Sequence, residues 1–309
     1  MSNIYVIGHK SPDLDSVVAA ISYANLKNKI ENTDIYKPVI AGEANKETKY
    51  ILEKYNVALP EKLDSLAGKK VILVDHNEFA QAQEGIEDAE IVEILDHHKL
   101  DFKYSNPIEV IIKPWGASCS IITSLYMQNL VEIEKSMATC MLAAMLVDTV
   151  ITKSPTCTDI DIELIKHLSG VAEVSSFEDF GMEIFKVRSD ISDLSDEEII
   201  KSDFKDFNFK DGKFGIGQVE TADLSVFEPR EGALLEKMEE MIEQEAYHSV
   251  VLFLTDIIKG GSRFLVTSTD EARVEKALGS SLENKRVYID GIMSRKKQVA
   301  PKFSEEFDK

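Results

Sequence analysis

An α/β chain of two domains, the first built on a parallel sheet, is the architecture this sequence predicts, and three observations carry it. Short apolar runs rich in β-branched residues alternate with helical patterns through the first half, as in NIYVIG (3–8), KKVILVDH (69–76) and AEIVEILDHH (89–98). Strands covered on both faces of a parallel sheet read this way. From about residue 189 the character changes to the acidic SDISDLSDEE (189–198), and a hairpin pattern follows it. At 309 residues the chain is also longer than one compact domain usually is.

The elements follow in order. NIYVIG precedes a helix over about 14–29, with Val17, Val18, Ile21, Ala24 and Leu26 at roughly helical spacing. Ser11-Pro12 fits its N-cap and first helical positions, and Asp13 favours the helix dipole. IYKPVIAG (35–42) is the second strand, followed by a helix near 45–55. KKVILVDH and AEIVEILDHH come next, each stopping at charged residues, and EVIIK (109–113) is a fifth strand. Ser118–Gln128, Glu134–Thr149 and Asp159–Leu168 read as helices. DFKDFNFK (203–210) and KFGIGQVET (213–221) flank Asp211-Gly212, a hairpin signal. A helix near 230–247 sets Leu234, Leu235, Met238, Met241 and Ile242 on one face, and strands follow at 249–255, 263–269 and 286–290. The expected domains are therefore 1–188 and 196–309, joined by a linker at 189–195, the second being a smaller α/β domain of mixed sheet.

Composition narrows the function. With 44% hydrophobic and 29% charged residues the chain is globular rather than disordered. A net charge of −20 argues against a nucleic-acid or anionic membrane partner. It leaves room for a small anionic substrate where cations reverse the local field. Cys119, Cys140 and Cys157 lack CxxC spacing and form an odd set, which fits core packing in a reducing compartment. MSNIYVIG has no basic, apolar leader, and Asp148 interrupts MLAAMLVDTVI (141–151). The expectation is a cytoplasmic protein without a membrane span.

Three strands end in the same chemistry: NIYVIG runs into His9, Asp13 and Asp15, VILV into Asp75 and His76, and VEIL into Asp96, His97 and His98. Right-handed crossovers place these strand ends along one edge, where open α/β sheets bind ligands. Imidazole and carboxylate groups without thiolates suit a divalent metal of intermediate hardness: manganese, cobalt, iron or zinc. At a helix start, Asp13 and Asp15 would point about 200° apart, which suits two neighbouring ions better than one. Asp75, emerging between the other clusters, can bridge such a pair. Two metals about 3.5–4 Å apart form a clamp for hydrolysing a phosphoryl bond. Asp148 is a further candidate, since a carboxylate is unwelcome in an apolar run unless paired or ligating. SRKKQ (294–298) sets three cations beside a serine in an acidic protein, as an anion-holding site requires. His76, His167 and His248 are expected to be structural.

In order along the chain, VIGHKSPDLDS (6–16), VDHNE (74–78), LDHH (95–98), LVDT (146–149), KSPT (153–156) and SRKKQ resemble the motifs of family II inorganic pyrophosphatases, members of the DHH phosphoesterase superfamily. The resemblance covers nearly the whole chain. It implies a Rossmann-like DHH domain linked to a smaller α/β domain, with the active site in the interdomain cleft. It also implies hydrolysis of pyrophosphate to two phosphates by a metal-bridging hydroxide. By resemblance, His9 and Asp13 bind one metal, Asp15, His97 and Asp148 the second, and Asp75 bridges them. His98 contacts substrate, and Arg295, Lys296 and, by a looser match, Lys205 hold phosphates. The implied cofactors are two Mn2+ per subunit, with Co2+ as an alternative, and Mg2+ entering with the substrate; the implied assembly is a homodimer. The opening motif departs from the family at Ser11 and Leu14, where asparagine and threonine are more usual, and leaves the ligand positions intact. Superfamily members acting on nucleic acids tend to carry a GGGH-like motif, whereas this chain has GGSR (260–263).

Overall fold

The computed structural model describes residues 3–308, which divide into two compact units, one ending at Val187 and the other beginning at Arg188. The first contains β1 (Ile4–Ile7), α1 (Leu14–Glu31), β2 (Tyr36–Ile40), α2 (Lys46–Lys54), β3 (Glu61–Lys62), β4 (Lys70–Val74), β5 (Glu90–Asp96), β6 (Glu109–Ile112), α3 (Ser118–Gln128), α4 (Lys135–Asp148), α5 (Asp159–Ala172) and α6 (Phe177–Arg188). Its six strands form one sheet in the order β3-β2-β1-β4-β5-β6, and every pairing is parallel. Ile7, Val39, Leu73, Ile91 and Ile94 join one buried cluster. The helices α1, α3 and α4 pack against one another, and Val17, Ile122 and Leu142 on them are buried. Strand order reverses between β1 and β4, which opens a crevice at the carboxyl ends of those two neighbours.

Helix α1 starts later than Ser11-Pro12 suggests. Its N-cap is Asp13, whose Oδ1 accepts from the Ser16 N–H at 2.9 Å, while Ser16 Oγ accepts from the Asp13 N–H at 3.1 Å. This reciprocal box satisfies two donors at once, and proline disfavours helical backbone at Ser11 before it. Asp13 and Asp15 therefore occupy the cap and second helical positions, and the angle expected for two helical residues does not apply to them.

The second unit contains α7 (Asp196–Lys201), β7 (Phe204–Phe209), β8 (Gly212–Thr221), α8 (Glu231–Glu245), β9 (Tyr247–Asp256), β10 (Gly261–Ser268), α9 (Glu271–Leu278), β11 (Arg286–Asp290), one turn of π-helix at Arg295–Val299 and α10 (Ala300–Phe307). The sheet order is β11-β10-β9-β8-β7, antiparallel except between β8 and β9, which α8 connects. Leu234, Met238, Leu252 and Leu254 pack on one face with Ile199 and Ile200; Phe214, Phe253, Phe264, Val299 and Phe303 pack on the other. Ile191, from the segment expected as a linker, belongs to the first of these clusters. Phe209 pairs with Gly212 across a two-residue turn, Lys210-Asp211, with Gly212 at φ 142°, a value that glycine adopts without steric cost. Among the described residues no helix is long and apolar enough to cross a membrane.

Candidate metal centre

The loops after β1, β4 and β5, the first turn of α1 and the end of α4 bring six side chains together. His9 Nε2 lies 3.3 Å from Asp13 Oδ2 and 3.5 Å from Asp75 Oδ2. His97 Nε2 lies 3.3 Å from Asp75 Oδ1 and 3.7 Å from Asp148 Oδ2. Donor atoms of His9, Asp13 and Asp75 fall within 4.8 Å of one another, as do those of Asp15, Asp75, His97 and Asp148. Asp75 belongs to both groups, one carboxylate oxygen facing each imidazole.

Each position has a local cause. Asp75 directly follows β4 in the left-handed region, φ 61°, which aspartate tolerates better than most residues. Ser118 Oγ donates to Asp75 Oδ1 at 2.9 Å. Asp15 is fully buried, and its two oxygens accept from the N–H groups of Ser118 at 2.6 Å and Cys119 at 3.0 Å. These amides open α3, so a helix N-terminus offsets part of the buried charge. Asp148 sits at the last position of α4, where the helix dipole opposes a carboxylate. The ring of His97 is oriented by its Nδ1, 3.0 Å from the Trp115 carbonyl, so that Nδ1 carries the proton and Nε2 faces the carboxylates.

Electrostatics describe a site built for added positive charge. Burial works against protonation of His9, but Asp13 and Asp75 outweigh it and raise its pKa to about 10. Burial likewise opposes the charge on His97, and Asp75 overrides it, raising the pKa to about 9. Burial and then the neighbouring Asp75 raise that of Asp15, whereas Asp75 itself is lowered because His9 and His97 outweigh its own burial. The residues fit a divalent cation on independent grounds too. His97 Nε2 is buried and makes no hydrogen bond despite lying close to two carboxylates, an arrangement natural for ligands sharing an ion.

His98 also reaches Asp75, its Nδ1 lying 3.9 Å from Asp75 Oδ1, and Asp75, His97 and His98 form a third group of donor atoms within 4.8 Å of one another. The His98 side chain is half exposed, and its Nδ1 is 2.9 Å from Asp96 Oδ1. Asp96 is buried and also accepts from the backbone N–H groups of His97 and His98 and from Asn77 Nδ2. The first residue of the Asp-His-His triplet thus sets the backbone that carries the two imidazoles. His76 is buried with Nδ1 2.9 Å from the Val74 carbonyl, and the His248 ring stacks on Phe214 at 4.7 Å.

Lys205, Arg295 and Lys296 lie in the second unit. Lys205 has the same strand parity as Phe207 and Phe209, which pack with the cluster that includes Val299 of the π-turn, so Lys205 and that turn share a sheet face. Lys205 and Lys296 are exposed. Arg295 is buried, with Nη1 donating to the Asp203 carbonyl and Nη2 to Asp203 Oδ1 at 2.7 Å. Gln218 accepts from the Arg295 N–H and donates to the Met293 carbonyl, and Gln298 accepts from the N–H groups of Met293 and Ser294. Asp96, Ser118, Trp115, Asp203 and Gln218 are absent from the residues singled out in the sequence as ligands or substrate contacts. Of these, only Asp96 carried a sequence signal, through its place beside the two histidines.

Residues 3–145 match the DHH family, N-terminal domain, and residues 182–305 match the DHHA2 domain. A manganese-dependent inorganic pyrophosphatase of Methanothrix thermoacetophila is 46% identical over 99% of each chain. Another, of Methanocaldococcus jannaschii, is 40% identical over 96% of this chain and 97% of its own. Among solved structures, a Methanococcus jannaschii protein assigned to family II inorganic pyrophosphatase superimposes with a TM-score of 0.64 at 38% identity, covering 99% of this chain and 100% of that one. With that identity over nearly its full length, and with both domains matched in order, this chain belongs to the family II, manganese-dependent inorganic pyrophosphatases.

Proposed function

We propose that this chain hydrolyses inorganic pyrophosphate to two phosphates with two divalent ions, Mn2+ or alternatively Co2+, and with Mg2+ brought in by the substrate. The observation that carries the reading is the sharing of Asp75 between two donor groups, each of which supplies an imidazole and further carboxylate. His9 and Asp13 hold one ion, Asp15, His97 and Asp148 the other, and Asp75 both. When bound, the ions supply concentrated positive charge at phosphoryl oxygens and acidify water.

The chain's own groups do the rest. Four carboxylates would repel a pyrophosphate anion from an unloaded site, so loading and substrate binding are coupled. The Asp96 carboxylate keeps the pKa of His98 above that of a free imidazole, which favours the doubly protonated ring with Nε2–H available to a phosphate oxygen. Arg295, tied to Asp203, retains guanidinium N–H donors for the substrate, and Lys205 and Lys296 add charge. As water adds to one phosphorus and the bridging P–O bond breaks, the second phosphate departs with extra negative charge, which these cations stabilise. The same reading places the enzyme in the cytoplasm as a homodimer with no nucleic-acid partner.

The test is phosphate release from pyrophosphate, tripolyphosphate and a dinucleotide, measured with Mn2+ and then Mg2+. Mn2+-dependent release from pyrophosphate above the other two is expected, and its absence refutes the reading. Arg295→Ala and Lys296→Ala should each lower turnover by 100-fold or so, the scale of losing one charge-stabilising donor, while elemental analysis finds the metal content unchanged.

A further inference from the structure

Asp161 is a fully buried carboxylate that belongs to none of the ligand groups. It lies in the first turn of α5, where Asp161 and Thr158 form a capping box. Capping accounts for its bonds from the Thr158 N–H and hydroxyl, both at 2.7 Å to Oδ2. It does not account for two others: the Gly116 N–H donates to Oδ2 at 2.9 Å, and Ser120 Oγ donates to Oδ1 at 2.5 Å.

Those two bonds grip both ends of one short segment, and that segment touches the metal centre four times. The Trp115 carbonyl orients His97, the Ser118 and Cys119 amides hold Asp15, and Ser118 Oγ holds Asp75. Packing closes the same segment onto Asp161. A Cβ at Gly116 would stand 3.1 Å from Asp161 Oδ2 and 2.5 Å from Thr149 Cγ2, and Thr149 directly follows Asp148. One buried carboxylate is thus a single bond away from the segment that serves three of the six candidate ligands.

We propose that Asp161 is a positioning residue of the metal centre, fixing residues 115–120 so that the His97 ring and the Asp15 and Asp75 carboxylates meet the ions in the right orientation. The inference rests on the metal-centre reading. Groups behind metal ligands typically change metal affinity by about 10–100-fold when removed. An asparagine at 161 can keep one acceptor oxygen toward Gly116 and Thr158, whereas alanine keeps none. Thr158→Ala removes the capping partner and leaves the bonds to Gly116 and Ser120.

The experiment is Mn2+ titration calorimetry on the full chain, stripped of metal beforehand, with thermal melting of each stripped protein alongside. Asp161→Ala should weaken Mn2+ binding by about 10–100-fold, Asp161→Asn should restore much of it, and Thr158→Ala should lower the melting temperature with Mn2+ affinity kept. Unchanged affinity in Asp161→Ala overturns the inference, as does a loss in Thr158→Ala equal to that in Asp161→Ala. Should Asp161→Ala not fold, Ser120→Ala decides, because it removes the hydroxyl that donates to Asp161 Oδ1 and leaves the segment's bonds to the metal centre; wild-type affinity there overturns the inference. A wild-type chain that binds no Mn2+ refutes the metal-centre reading instead.

Discussion

If His9 and His97 ligate the two proposed ions, protons and metal compete for the same lone pairs, and the geometry sets how strongly. In the metal-free protein His9 and His97 have pKa values of about 10 and about 9, because Asp13 and Asp75 beside the one, and Asp75 beside the other, outweigh the burial of each ring. At pH 7 both imidazoles are then protonated, and loading the two ions must expel about one proton at each. Every proton expelled makes binding about tenfold tighter per pH unit, so the two imidazoles alone should raise the product of the two Mn2+ affinities by about 100-fold from pH 7 to 8, and Asp15, raised to about 7, adds a further fraction of a proton there. The rise should halve in slope above pH 9, where His97 is already neutral, and vanish above pH 10, where His9 is too. Stability of the metal-free chain runs the other way. Raised imidazole pKa values contribute stability that is complete below the ordinary value of 6.5 and is lost as pH climbs through 9 and 10. Calorimetry in two buffers of different ionisation enthalpy counts the protons directly. Mn2+ affinity that is flat from pH 7 to 8, with no proton release, would refute the electrostatics derived above.

Two further outcomes probe the scaffold. Val150, Ile151 and Thr152 all have positive φ, 49°, 52° and 65°, a strained conformation for β-branched residues, just after Asp148. The turn is held because Ile151 is buried against Gly181, where a Cβ would stand 2.7 Å from Ile151 Cγ1. Gly181→Ala should therefore destabilise the chain by about 1–3 kcal/mol in urea unfolding, and an unchanged midpoint would show that the turn does not depend on this notch. Glu93, buried on β5, accepts from Tyr23 Oη and has Lys27 at 3.4 Å, yet burial, its largest influence, keeps its pKa above the ordinary 4.5. Its contribution is complete below that ordinary value and falls as pH rises through the raised one, so the stability of wild type relative to Glu93→Gln should decline as pH rises above 4.5. Urea melts at several pH values check this, and a difference that grows with pH contradicts it.

The gathering of the candidate ligands was legible because it obeys a topological rule. A parallel sheet with right-handed crossovers gathers the carboxyl ends of its strands, so residues after β1, β4 and β5 could be grouped before any distance was known. Asp148 was legible for a different reason: an acid ending an apolar helix needs a compensating charge. The groups that orient these ligands were not legible, because they act through the backbone. Trp115 serves His97 with a carbonyl and Cys119 serves Asp15 with an amide, functions that any residue type could supply. Asp161 was hidden by a second role, since Thr158-x-x-Asp161 reads as an ordinary capping box. The start of α1 near residue 14 was legible but its cap was not: two capping signals overlap, Ser11-Pro12 and Asp13-x-x-Ser16, and the reciprocal pair prevails because it satisfies a donor at each end. The short amphipathic helices α6, α9 and α10 and the π-turn at Arg295 depend on packing against the sheets more than on local propensity.

Asp75 shows why one position in the site is so narrowly specified. Its backbone must adopt φ 61° at the end of β4, which Asn and Gly also accept but β-branched residues resist. Its side chain must carry a full negative charge, because two imidazoles face it, His9 3.5 Å from Oδ2 and His97 3.3 Å from Oδ1. Asparagine meets the first demand and fails the second, offering a neutral amide whose nitrogen would face one imidazole. Glutamate meets the second, but its extra methylene displaces both oxygens from positions set by Ser118 and the two rings. Only aspartate combines the left-handed turn, the charge and the short reach. The bridge between the two donor groups is therefore a consequence of strand-end geometry as much as of ligand chemistry.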